Sequence, residues 1–194
     1  MTETQRIQDD LQFVRQAVAK RDAPYSTPGG ILLIWAAYVL VGYTLLDFNR
    51  VYAGTWFMIA GMIGGIGSGI IGKRHAARIG EIDHSDGMKQ ALHWGSIVLA
   101  IVAILALFAT RHDEIRGRGE VIGQVIAICV GIVYFLAGVH FDRYFIWLGL
   151  MLMAGAVAIS FVPQYGWTML GVLLSAGLAL PVVLRRRSDV PSVQ

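Results

Sequence analysis

The chain has 194 residues, 56% hydrophobic and only 15% charged, with a net charge of +3. Soluble domains carry roughly 25% charged residues, and a single core in a chain of this length cannot hide so much apolar surface. Composition therefore excludes an ordinary soluble domain. The small positive excess is better explained by membrane topology than by nucleic acid.

The first 29 residues carry acids and bases throughout and hold no apolar run of signal length, so no cleavable signal is expected. Ile7, Leu11, Val14 and Val18 fall at helical spacing and predict a narrow apolar stripe on a cytoplasmic amphipathic helix over 4–20. Its other faces mix Asp9, Asp10, Arg15, Lys20 and Arg21, unlike a basic helix lying on a membrane. The stripe reads as a docking surface for the bundle, for a second copy or for a partner helix. A loosely held tail is the alternative. "DAPYSTPGG" then breaks the helix, because Pro24 and Pro28 disfavour helix just before them.

Six apolar blocks follow, at about Gly30–Leu46, Ala53–Gly72, Ala91–Ala109, Val121–Val139, Tyr144–Val162 and Trp167–Leu184, and none contains Asp, Glu, Lys or Arg. Each is near the ~20 residues that an α-helix needs to cross a bilayer. The fold expected is all-α: one bundle of six transmembrane helices over 30–184, preceded by the helix and linker of 1–29 and followed by a tail, 185–194. With both termini in the cytoplasm, the inner segments hold twelve Lys and Arg and the outer loops four, which follows the positive-inside bias of a cell membrane. "RRR" after the sixth block is the sharpest marker. The single cysteine, Cys129, lies mid-span and excludes an intramolecular disulfide.

The end of the second block, "GSGIIGKR" (67–74), imitates a phosphate-binding loop. Arg74 stands where that loop needs Ser or Thr, and the glycines lie within a helical block rather than between a strand and a helix. No nucleotide is expected. The glycines read instead as packing residues, since close backbone approach holds helices together in lipid. Gly61, Gly65 and Gly69 repeat every four residues, and beside them run Ala60, Gly64, Ser68 and Gly72. Two adjacent rows in a glycine-zipper pattern predict a central second helix with neighbours on two sides, where a leucine at position 65 would force helices apart. Gly123, Ala127 and Gly131 form a row in the fourth block, and Gly171, Ser175 and Ala179 one in the sixth. The second, fourth and sixth helices are thus expected to form the interior.

The loop 73–90 is the longest internal hydrophilic segment, whereas "HFDR" (140–143) and "PQYG" (163–166) are tight corners. "YVLVG" (38–42) echoes "YFLAG" (134–138), and each precedes a similar corner, "DFNR" or "HFDR". Since the first span runs outward and the fourth inward, three-helix repeats would have inverted topology.

No ionisable residue lies at mid-depth, which argues against a proton- or sodium-driven pump with a central carboxylate. The polar groups there are weak, among them Tyr38, Tyr43, Ser68, Gln124, Tyr134 and Ser160. His93 opens the third span and His140 closes the fourth, so two imidazoles at similar depth could ligate haem iron or another metal. His75, Glu81, Asp83, His84 and Asp86 nearby supply further N and O donors for a divalent cation. The alternative is a pair of hydrated histidines bonded to carbonyls, and no cofactor is predicted. No nucleophile–base set or zinc motif is present, so no enzyme is expected. Three readings compete: an accessory or regulatory membrane subunit that binds a membrane partner or itself, which is favoured; a small transporter for a neutral solute; and a haem or metal protein.

Overall fold

A computed structural model describes residues 27–79, 84–109, 119–162 and 164–188, together with residues 5, 8, 11 and 12. Its elements are α1 (Gly29–Phe48), α2 (Arg50–Ile79), α3 (His84–Ala109), α4 (Gly119–His140), α5 (Tyr144–Ala158) continued by a 3₁₀ turn (Ile159–Phe161), and α6 (Gly166–Ser188). No strand occurs among the described residues. All six helices are long and apolar enough to span a bilayer. In lipid, where water cannot satisfy the backbone, a helix satisfies its own N–H and C=O groups.

The corners follow from local chemistry. Pro28 precedes α1, and its carbonyl accepts from the amides of Ile31 and Leu32. Asn49 ends α1 with extended backbone and starts α2 by accepting the Tyr52 amide on Oδ1 at 3.2 Å. One residue thus reverses the chain. Asp142 plays a similar part before α5, accepting the Tyr144 amide at 3.2 Å. The segment read as the loop 73–90 is helical in its described parts, because α2 runs on to Ile79 and α3 already starts at His84. Charged side chains end a membrane span without ending the helix that carries it.

The closest pairs are α1 with α6 and α4 with α5; α2 packs on α1, α3 on α4, and α5 more sparingly on α6, while α2 and α3 make at most marginal contact. Leu32, Ala36 and Val39 of α1, Ala127 and Ala137 of α4, Leu148 and Leu152 of α5, and Leu174 and Leu178 of α6 form the core. Neither α2 nor α3 adds a residue to its fully buried set.

That overturns the expected central position of the second helix. Only 6% of the apolar stretch of α2 is buried and none of that of α3, against 33% for α5 and for α6. The interior belongs to α1, α4, α5 and α6. Gly65 therefore has room for a side chain, and a leucine there forces no helices apart. In the N-terminal segment, residues 5, 8, 11 and 12 are helical and Leu11 is exposed. Ile7, Val14 and Val18 lie outside the described residues.

Candidate functional site

Polar chemistry gathers at the end of the bundle where α1 stops and α2, α4 and α6 begin. Asp47, on the last turn of α1, accepts from both the backbone N–H and the Oγ1 of Thr168 at 2.7 Å. A carboxylate from one helix thereby caps the first turn of another, 121 residues further along the chain, where it also meets the positive end of the helix dipole. Nearby, Arg50 of α2 pairs with Glu120 of α4 at 3.7 Å, both side chains about half exposed. Gln124 donates to Ser160 at 2.8 Å and ties α4 to the 3₁₀ turn. Tyr165, just before α6, has φ of 58°, the left-handed region that non-glycine residues seldom visit. Its ring lies 5.6 Å from that of Phe48.

Among these groups lies a cleft of about 350 Å³ with Asp47, Arg50, Glu120, Gln164 and Tyr165 at its walls and Leu46, Ile159, Val162 and Trp167 as its apolar part. In the sequence Asp47 and Arg50 belong only to the "DFNR" corner. No local signal could pair them with Thr168 and Glu120, because both partners are remote in the chain.

At the opposite end, His93 and His140 come within 6.5 Å between ring centroids. Nε2 of His93 donates to the Val133 carbonyl at 3.0 Å, and Nδ1 of His140 donates to the Leu136 carbonyl at 2.7 Å. The His93 ring also stands nearly perpendicular to those of Phe141 and Trp94, at 5.1 and 5.3 Å between centroids. Among the described residues no group of three or more His, Cys, Asp and Glu is placed to hold a metal. Of the further donors, Glu81 and Asp83 lie outside the described residues, and His75 is exposed.

The small-residue rows divide. A Cβ on Gly123 would meet the Trp167 ring at 3.0 Å, one on Gly131 would meet Met153 at 2.6 Å, and one on Gly171 would meet Tyr43 at 2.8 Å. Ala127 is buried, while Ser175 and Ala179 are half-buried on α6. On α2, Gly61 and Gly64 sit 3.2 and 3.4 Å from Tyr38 and Ile34 on the same measure, and Ser68 accepts from Nε1 of Trp35 at 3.0 Å. Among the described residues nothing lies within 4 Å of a Cβ placed on Gly65, Gly69 or Gly72. The tightest approaches fall on glycines that the rows did not include. Gly42 is covered by Phe57, Gly138 by the backbone of Ile146, and Gly149 by Gly131 and Phe135.

Six apolar helices, with charge held to their ends, define a multi-pass helical membrane protein. Compared with known protein families, with curated proteins and with solved structures, the chain matches none.

Proposed function

We propose that the protein is an accessory or regulatory membrane subunit that works through the outward faces of its helices, with both termini in the cytoplasm. The observation that carries this reading is the division of α2 into two small-residue faces. Gly61, Gly64 and Ser68 receive Tyr38, Ile34 and Trp35 of α1. A Cβ placed on Gly65, Gly69 or Gly72 would meet no described atom within 4 Å beyond the surrounding turns of its own helix. In lipid, a face of small residues favours helix association because it lets a second backbone come close. The first row shows that use within the chain, and the second offers the same surface outward. An exposed Leu11 on the N-terminal helical segment fits a second, cytoplasmic point of attachment.

The test is a pair of variants. Gly65→Ile with Gly69→Ile should abolish recovery of the partner, or of the second copy, while the thermal midpoint in detergent stays at that of wild type. Unchanged recovery would remove α2 as the docking face.

A further inference from the structure

We propose that the chain consists of two inverted three-helix units that have exchanged their third helices, and that the two resulting bundles rock against each other so that a cleft between them opens at alternate ends. The first bundle is α1, α2 and α6; the second is α4, α5 and α3.

Three correspondences carry the relation between the bundles. Tyr38 and Gly42 of α1 receive α2, the Tyr38 ring lying edge-on to Phe57 at 5.4 Å and Phe57 covering Gly42. Tyr134 and Gly138 of α4 receive α5 in the same order, with the Tyr134 ring edge-on to Phe145 at 5.8 Å and Ile146 covering Gly138. The echo of 38–42 in 134–138 thus has the same packing task twice.

Next, each bundle holds one tyrosine, one phenylalanine and one tryptophan in edge-to-face contact, each ring from a different helix. Tyr43 of α1 meets Phe57 of α2 and Trp167 of α6 at 5.9 and 5.6 Å. Tyr134 of α4 meets Phe145 of α5 and Trp94 of α3 at 5.8 and 5.4 Å. Matching α1 to α4, α2 to α5 and α6 to α3 maps one trio on the other by helix and ring type. Tyr134 then answers to Tyr43, five residues after the Tyr38 that the sequence echo sets against it.

Finally, the trios lie at opposite ends of the molecule. The first is beside Asp47 and the start of α6, while the second is beside His93 and the start of α5. That is the relation expected of inverted-topology repeats, whose binding sites lie between the repeats and whose motion is largely a rigid rocking of one against the other.

The boundary between the bundles runs along α5 and α6, whose Leu148, Leu152, Leu174 and Leu178 are buried in one core, with Trp167 of α6 also against Gly123 of α4. That seam is the pivot, because α2 and α3, which the symmetry would pair likewise, make at most marginal contact among the described residues. The 350 Å³ cleft sits on this boundary, with Asp47, Arg50 and Trp167 from the first bundle and Glu120 and Ile159 from the second. The Arg50–Glu120 pair spans it at 3.7 Å with both side chains half exposed, a contact that costs little to break. The link from α5 to α6 contains the 3₁₀ turn and the left-handed Tyr165, where the chain changes direction. Between the two ends the spans carry no ionised side chain, so the path suits a small polar solute without net charge.

Electron–electron distance measurements in liposomes test the motion, with spin labels on a Cys129→Ser background. Val51→Cys with Val121→Cys reports across the bundles at the Asp47 end. Val139→Cys with Val183→Cys reports across them at the opposite end, and Val51→Cys with Met169→Cys reports within one bundle. All five replaced positions are exposed.

Two populations are expected for each pair across the bundles and one for the control. Glu120→Arg, which places like charges across the cleft, should enrich the longer distance at the Asp47 end and the shorter one at the other. A single narrow distance across the bundles in the otherwise wild-type protein overturns the proposal. So do shifts in the same direction at both ends, or no shift. If Glu120→Arg fails to fold, Glu120→Gln takes its place and the two-population criterion still decides.

Discussion

The α4–α5 pair and α2 are both rich in glycine, and they use it differently. Gly138 and Gly149 bring α4 and α5 so close that an added Cβ would strike backbone, and one on Gly131 would strike the Met153 side chain. Of the seven glycines on α2, Gly54, Gly65, Gly69 and Gly72 leave open space where a Cβ would stand, with no described atom within 4 Å beyond their own helix. Small residues license a close approach, but whether one occurs depends on a partner surface. Within this chain α5 supplies that surface along α4, whereas α1 covers only one face of α2.

The largest effect that this comparison predicts is at Gly138. A leucine there meets the backbone of Ile146, which cannot yield by a rotamer change. Gly138→Leu should lose about 3 kcal/mol or fail to insert, read as a lost thermal transition or as aggregation in detergent. A wild-type midpoint would break the claim that α4 and α5 touch by backbone.

Next comes Asp47. Removing the carboxylate orphans the Thr168 amide at the first turn of α6, so Asp47→Ala should cost about 1–2 kcal/mol. Asp47→Asn, which keeps an acceptor oxygen, should lose less. Equal losses in the two variants would show that the side chain's size matters rather than its hydrogen bonds.

Arg50→Gln should be smaller still, at most about 1 kcal/mol, because both partners of its ion pair are half exposed. The loss should shrink as salt is raised; insensitivity to salt would mean that Arg50 acts otherwise. Last is Gly65→Leu, expected to stay within about 0.5 kcal/mol of wild type. A large loss would place an intrachain neighbour on that face and erase the contrast with Gly138.

Much of the fold is legible in the sequence. Six uncharged blocks separated by charge locate the spans, because ionised groups inside lipid are so costly. The arrangement is less legible. Four-residue spacing in Gly61, Gly65 and Gly69 identifies a face able to accept a helix, but the spacing is identical whether that helix is α1 or another protein. The packing of α1 on α6 is sealed at one end by Asp47 and Thr168, whose pairing leaves no local periodicity. The three-ring clusters were equally hidden, since each draws its rings from three helices. Of their six rings only Tyr134 lies within the echoing segments 38–42 and 134–138. The histidine pair was legible as a juxtaposition, while the carbonyls of Val133 and Leu136 that hold its rings required coordinates.

The docking role of α2 is tested most directly by native mass spectrometry of protein extracted from its own membrane in mild detergent, wild type beside the Gly65→Ile, Gly69→Ile variant. The account predicts that the wild type carries a second polypeptide or a second copy of itself, and that the variant flies as a monomer with an unchanged thermal midpoint. A wild-type monomer carrying only lipid, or a complex that survives both isoleucines, would contradict it.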